Sequence, residues 1–474
     1  MPPTSTSRPS RHSLTAPELY SLAFGLFLGL AIVKFGNPVI LDQIIFAPTS
    51  FSEFWHDAWP LHWANWFLAI MVLVGAGLAT ALKPRWPATR WLWILPIIWF
   101  AWQILAAAHS PYRELTSVTI WQYVGCIACY FLGAFVISRG RGSQLLLIGV
   151  LVAFAFCLIR AVDQKLFEFP AEKQFLQESQ RTAWTNVPPA MIEELRRDKV
   201  LIRTNDTEIL NPAIMAKYEK GRVQGTLVYP NALAGIVLLL FPVALVTVWH
   251  ITRNLPRRIV CIAATGLMAF LGLGGLFWSG SKSGWLIALA VGVFWLCRLN
   301  WPAKFKWTMV IVLLVGGLAV FGLRFQNYFA KGATSVAARF DYWHVAARVS
   351  LQHPVFGTGP GTFQRPYAAL KKPDAEMARL VHNDYLEQFS DSGFIGGLSY
   401  LAWLALLFGT IGRRIWAKGD WFQFAILAGL LGWFTQGLIE FSLFVPALAW
   451  TAFTLAGWLL VRSANQVDKP QPAD

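Results

Sequence analysis

Charge is scarce in this 474-residue chain: only 14% of its residues are Asp, Glu, Lys or Arg, against about 25% in ordinary soluble domains. With 56% hydrophobic and 15% aromatic residues, so little charge excludes both a water-soluble globular domain and a disordered chain. Cysteine is scarcer still. Cys126, Cys129, Cys157, Cys261 and Cys297 all fall inside apolar runs, where a thiol behaves as a small hydrophobe. The long polar stretches contain none, which excludes a disulfide framework there. Cys126 and Cys129 have C-x-x-C spacing, but no second Cys or His pair accompanies them, so they are read as packing residues and not as a zinc or redox site. Acidic residues are also few, 25 against 40 Lys and Arg, for a formal charge of +15. Whether that excess means a polyanionic partner depends on where the cations stand.

What the chain has in quantity is long apolar runs. Twelve candidate spans lie at 18–36, 62–82, 91–108, 118–138, 143–162, 231–250, 258–278, 284–298, 307–324, 393–411, 421–440 and 443–461. A helix needs about 17–25 apolar residues to cross the hydrocarbon core, and helices satisfy their own backbone there. The first run follows Arg8 and Arg11, as a signal peptide would. The KFGNPVI that comes after it has no small-x-small cleavage site, so the run reads as an uncleaved anchor.

The cations then explain themselves. One set of connections holds Arg8 and Arg11; Lys83, Arg85 and Arg90; Arg139 and Arg141; Arg253, Arg257 and Arg258; Arg298, Lys304 and Lys306; Arg413, Arg414 and Lys418; and Arg462 with Lys469. The opposite short loops offer only Arg113 and Lys282. By the positive-inside rule both termini are expected in the cytoplasm, and no nucleic-acid partner is inferred. The expected fold is all-α: a polytopic integral membrane protein with about 12 transmembrane helices and two long external loops. It divides into an N-terminal region of five spans (1–162), an external polar loop (163–230), four spans (231–324), a second external loop (325–392) and three C-terminal spans with a cytoplasmic tail (393–474).

The distinctive polarity is in those external segments. The first loop carries EKQFLQESQRTAW and PPAMIEELRRDK, the latter with Pro188 and Pro189 placed as at a helix start. It ends in KGRVQGTLVYPNALAG, which delivers Arg222 to the mouth of the sixth span ahead of Pro230 and Asn231. The short turn WSGSKSGW sets Lys282 among serines and glycines, where it either snorkels or, with the backbone N–H groups, cradles an anion. In the second loop, Phe340, Trp343, Ala347 and Leu351 recur at helical spacing beside Arg339 and Arg348, as in a helix lying on the membrane surface. Pro354 stops that helix and GTGPG makes a turn. Then comes RLVHNDYLEQFSDSGFIGG, in which His382 opens a short helical run before Gly393 and the tenth span.

These segments, RVQGTLVYPNALAG, SGSKSG, RFDYWHVAARVSLQHPVFGTGPGTF and HNDYLEQFSDSGFIGG, resemble in order and setting the O-antigen ligase and polymerase superfamily of bacterial membrane glycosyltransferases. The resemblance runs from about Gly221 to the end of the tenth span. It implies a multi-pass protein of the bacterial inner membrane whose active site faces the periplasm or cell exterior. The implied reaction moves or polymerises a glycan from a polyprenyl-pyrophosphate carrier onto a hydroxyl of a glycan, lipid or protein; because this chain offers Arg222 and Lys282 to the pyrophosphate and no convincing carboxylate cluster outside, neither a metal nor a cofactor is expected. It further implies that the external histidine, His382, and the arginine ahead of the Pro-Asn pair, Arg222, are essential. Where the family often has Ser-Arg-Gly this chain has Ser281-Lys282-Ser283, a point charge in place of a two-pronged guanidinium.

The chemistry agrees. Fixed cations stabilise a pyrophosphate leaving group, here Arg222 and Lys282 with Arg339. His382 is the base for the attacking hydroxyl, oriented by Asp384 or Glu387. Asn231, Asn383 and Tyr385 are the remaining candidate substrate contacts. Two rivals fit part of the pattern. One is a polytopic glycosyltransferase of the type that uses an acidic first external loop, with Asp42, Glu53 and Asp57 as its carboxylates. The other is a flippase or transporter of lipid-linked glycans, though transporters place ionisable groups near the midplane and Lys34, Arg160 and Arg324 stand at outer span ends. Asp206 and Glu208 form an acidic pair with no further ligand cluster.

Overall fold

The structure is a computed structural model that describes residues 14–82, 86, 89–197, 199–204, 207–330 and 334–465. Arg8, Arg11, Lys83, Arg85, Asp206 and Lys469, named above, lie outside them. In chain order the elements are α1 (Ala16–Lys34), α2 (Phe51–His56), α3 (Leu61–Ala81), α4 (Trp91–His109), α5 (Arg113–Leu132), α6 (Gly142–Asp163), α7 (Phe169–Arg181) and α8 (Pro189–Arg197). A hairpin of β1 (Leu201–Thr204) and β2 (Thr207–Leu210) follows, then α9 (Pro212–Lys220), α10 (Pro230–Thr252), α11 (Arg258–Ser279), α12 (Lys282–Arg298) and α13 (Ala303–Ala330). The chain ends with α14 (Thr334–Gln352), α15 (Gln364–Leu370), α16 (Asp384–Lys418), α17 (Trp421–Gln436) and α18 (Pro446–Asn465).

Among the described residues ten helices are long and apolar enough to cross a membrane. Helices of 17 and 16 residues, α12 and α17, stand at two further expected spans. An apolar helix stands at each of the twelve expected positions, ten of them at span length. Without a hydrophobic force between helices in lipid, close backbone approach holds such bundles together. A Cβ on Gly25 of α1 would fall 2.2 Å from the Leu146 carbonyl oxygen of α6, and one on Gly457 of α18 would fall 1.9 Å from that of Tyr130 in α5. By contrast α13 packs mainly on α12 and leaves Trp307, Ile311, Val315 and Leu318 exposed, the surface expected to face lipid.

Four departures from the expected elements shape the site. The helix of the fifth span, expected over 143–162, runs on beyond it: α6 continues through a π turn, Gln164–Glu168, into α7. The first loop holds a two-stranded hairpin, pairing Leu201 with Leu210, over a small core of Leu176, Trp184, Val187, Leu201 and Leu210. The eleventh span, expected over 421–440, stops at Gln436, which puts Glu440 in the turn before α18. On α14 a second stripe, Tyr342, Val345, Ala346 and Val349, is buried in protein, while Phe340 and Leu351 of the expected stripe point outward, 60% and 71% exposed, as in a helix that lies on a membrane surface.

The helix α16 is broken at Ser392 and Gly393, the latter at φ 67°. The segment after Pro354 fills the break. Phe394 N–H donates to Pro354 O at 2.8 Å, Thr358 and Gly359 N–H donate to Ser390 O and Asp391 O at 3.0 and 2.8 Å, and Gly361 N–H donates to Asp391 Oδ2 at 2.7 Å. At Gly357, also at positive φ, a Cβ would stand 2.3 Å from the Asp391 carbonyl carbon. The glycines of the P-x-x-G-x-G segment let the two backbones touch.

Candidate functional site

The Arg222 loop is held from below. The π turn puts the buried Gln164 opposite the loop, where its Oε1 accepts from Gln224 N–H and Gly225 N–H at 3.1 and 2.9 Å and its Nε2 donates to Gly225 O at 3.1 Å. Gly225 stands at φ 64°, and a Cβ there would lie 2.7 Å from Cys157 Sγ, so the position requires glycine on both counts. Such π turns recur at functional sites. Arg222 is thereby pinned at two points: Nε donates to Ser279 O at 2.7 Å and Nη2 to Asn231 Oδ1 at 2.8 Å. Among the described residues its Nη1 has no hydrogen-bond acceptor.

Lys282 opens α12 ahead of the expected span 284–298. Ser281 caps that helix, its Oγ accepting from Gly284 N–H at 3.2 Å, as N-cap serines do. The ammonium lies over the rings of Tyr328 and Phe325, 3.9 and 5.2 Å from their centroids, a cation–π contact. Burial, and after it the cations Arg222, Arg339, Lys220 and Arg324, push its pKa down to about 8. An anion relieves that crowding.

His382 sits on the last turn before α16 in a left-handed conformation, φ 54°, uncommon for a residue with a side chain. Its carbonyl accepts from Trp343 Nε1 at 3.4 Å, its ring stacks on Tyr342, and Phe441 meets it edge-on at 4.7 Å. The ring is 29% exposed, fixed on two sides and open on another. Its Nδ1 faces Glu440 Oε2 at 3.6 Å. Both atoms are buried without a hydrogen-bond partner, so protonation of the imidazole brings together two groups that face each other.

Glu440 is the hub that sequence reasoning missed. Its side chain is 1% exposed. Oε1 accepts from Arg339 Nη2 at 2.5 Å and from Asn231 Nδ2 at 2.7 Å, and Oε2 faces His382. Through Asn231 the carboxylate reaches Arg222, so a single buried anion gathers Arg339, Asn231, Arg222 and His382. Arg339 also donates through Nε to Ile439 O at 3.0 Å. Burial raises the Glu440 pKa, but His382 and Arg339 outweigh it and hold the carboxyl below the ordinary glutamate range.

Of the expected site residues the structure therefore brings together His382, Arg222, Asn231 and Arg339, with Lys282 one turn from Arg222. Asn383 and Tyr385 are placed elsewhere. Asn383 caps α16, its Oδ1 accepting from Tyr385 and Leu386 N–H at 3.0 Å each, and the Tyr385 hydroxyl donates to Phe434 O at 2.8 Å. The expected orienting carboxylates also face elsewhere: Asp384 accepts from Leu443 N–H and Glu387 from Val381 N–H. In the first loop Asp42 accepts from Leu61 N–H, Glu53 caps Thr49, and Lys34 donates to the Asp57 carbonyl. Glu208 pairs with Arg196. Among the described residues no group of three or more His, Cys, Asp or Glu side chains is arranged to hold a metal ion.

Residues 267–401 match the O-antigen ligase family model. The match runs from within α11 to within α16, so it contains Lys282, Arg339, His382 and the P-x-x-G-x-G clamp. It supports the superfamily read from the motifs. Arg222, Asn231 and Glu440 fall outside the O-antigen ligase segment and join it only in the folded protein. No curated protein matches the chain. The chain is an all-α multi-pass membrane protein, and the match over 267–401 supports glycosyl transfer of the ligase or polymerase type.

Proposed function

We propose that the protein transfers or polymerises a glycan from a polyprenyl-pyrophosphate carrier onto an acceptor hydroxyl, at the outer face of the bacterial inner membrane, by a single inverting displacement. The observation that carries this reading is the Glu440 cluster: a histidine, two arginines and one buried anion at the mouth of a helical bundle. Below it, an apolar cavity of about 700 Å³ lies among α10, α11, α12 and α13. Its lining includes Phe277, Trp278 and Trp285, the residues that flank the Ser279–Lys282 turn. An isoprenoid chain fits such a cavity with its pyrophosphate at Arg222 and Lys282.

With Nδ1 turned to Glu440, Nε2 of His382 takes the acceptor's proton. The acceptor oxygen forms its bond to the anomeric carbon as the carbon–oxygen bond to pyrophosphate breaks. The electron pair stays on the departing phosphate oxygen, where Arg222 and Lys282 offset the new charge. Glu440 stabilises the imidazolium, and Arg339 keeps Glu440 ionised and in place.

Three outcomes test this reading. Because the cations already neutralise the pyrophosphate, transfer by purified protein is expected to persist in excess chelator. Loss in chelator with rescue by a divalent ion would revive the acidic-loop rival. Because Lys282 is charged below about pH 8 and loses its proton above it, transfer is expected to fall as pH rises through that value. Lys282→Arg keeps its charge there and should extend activity to higher pH; an unchanged alkaline limb in that variant means position 282 does not grip the anion. For orientation, cysteine placed at Gln177 or Ala368, both exposed, should react with an impermeant reagent in right-side-out vesicles. Labelling only after permeabilisation would reverse the sidedness and remove the mechanism.

A further inference from the structure

Asp384 is 3% exposed, and both its backbone and its carboxylate reach out of their own helix to one neighbour. Its N–H donates to Gly437 O at 2.7 Å. Its Oδ1 and Oδ2 accept from Leu443 N–H at 3.3 and 3.2 Å. These partners bracket the turn that carries Glu440. The fit is close: a Cβ on Gly437 would stand 2.8 Å from Asp384 Oδ2. On the other flank the His382 turn is fastened to α16, by Glu387 Oε2 accepting from Val381 N–H at 3.1 Å and by the Asn383 cap.

We propose that Asp384 is a positioning residue, a clasp that fastens the Glu440 turn to the His382 turn and so sets Glu440 Oε2 against His382 Nδ1. It acts through hydrogen-bond geometry and not through its charge. The Glu440 turn hangs otherwise from the end of α17, where Ile439 and Glu440 N–H donate to Gln436 O at 2.9 and 3.0 Å, from Arg339 on Ile439 O, and from Gln122 Nε2 on Leu443 O at 2.9 Å. None of those hydrogen bonds refers to His382, which the turn otherwise meets only through the ring of Phe441 and the Glu440 carboxylate itself. Asp384 is two residues from it and spans the gap from both ends of the turn. Its carboxylate is spent on the Leu443 N–H, which leaves the role of facing the imidazole to Glu440. This inference rests on the reading of His382 and Glu440 as the transfer site.

Asp384→Asn and Asp384→Ala in the full-length protein separate geometry from charge. An asparagine amide oxygen still accepts from Leu443 N–H, and a neutral group is easier to bury than a carboxylate. We expect Asp384→Asn to keep kcat within about threefold. Asp384→Ala should lower it by about 10–100-fold, the scale of a group misplaced by about 1 Å. Hydrogen exchange read by mass spectrometry should rise over 437–443 in Asp384→Ala, stay low in Asp384→Asn, and remain unchanged in α6 in both, which a global loss of stability would not allow. If Asp384→Asn is as damaging as Asp384→Ala, the residue acts by charge and the clasp is wrong. It is equally wrong if exchange over 437–443 is alike in all three proteins. If the exchange pattern appears but the wild-type protein transfers no glycan from a lipid-pyrophosphate donor, the clasp stands and the functional reading falls.

Discussion

Replacing His382 by alanine lowers glycan transfer by about 10²–10⁴-fold, the range a general base contributes, while the protein still inserts and folds. The residue touches Tyr342 of α14, Phe441 and Glu440 at the edge of the bundle, and its loss removes a ring contact with α14 but none between the spans. One cost must be controlled. His382 occupies φ 54°, a region that Asn and His tolerate better than Ala. His382→Asn preserves the backbone and removes the base, so both variants should fail alike if the imidazole is what matters. Lipid-linked donor should accumulate as product disappears, which separates failed transfer from failed flipping. Near-normal transfer by His382→Asn at normal protein levels would make the histidine structural and end the proposed mechanism.

The parts of this architecture that follow from local pattern were legible in the sequence. Apolar runs of span length became helices because the bilayer leaves the backbone no other single-segment solution. The P-x-x-G-x-G segment became a turn because its glycines reach positive φ, 61° at Gly357 and 107° at Gly359. His382, Arg222, Asn231 and Arg339 were legible as polar groups at span mouths and through the family resemblance. What joins them was not. Glu440 closes an apolar run, QGLIEF, and reads as the last residue of a span. The available signal was its cost, since a glutamate at the end of a membrane helix is expensive unless it is paired. Its partners come from residues 231, 339 and 382, far apart in the chain, so only tertiary packing reveals them. The same holds for Gln164, whose position depends on a π turn that periodicity does not report, and for α14, where two stripes were available and packing chose Tyr342 and Val349.

The second large effect is expected at Glu440. Glu440→Gln keeps the shape of the hub and removes its charge. Arg339, at 14% exposure, then faces a neutral amide, and the imidazolium that forms during transfer loses its counter-ion. Breaking one partner of a buried ion pair costs about 3–5 kcal/mol. That cost divides between a less stable protein and a higher barrier, so transfer should fall by about 10²–10³-fold at pH 7. The pH dependence of stability supplies a readout that activity alone does not. In the folded protein His382 and Arg339 hold the Glu440 carboxyl below its ordinary range. A depressed carboxyl contributes stability that is fully present above the ordinary glutamate pKa of about 4.3 and is lost as pH falls through the lower folded value. Wild-type thermal stability should therefore drop on acidification below about pH 4, and Glu440→Gln, less stable at neutral pH, should lose less over the same interval. Glu440→Asp retains the charge but withdraws it from His382. It should recover stability more than transfer, because Arg339 and Asn231 can follow a shortened carboxylate more easily than a ring fixed between Tyr342 and Phe441. Should Glu440→Gln transfer glycan at the wild-type rate, the histidine acts without this carboxylate, and the cluster is a structural fastening of the bundle mouth.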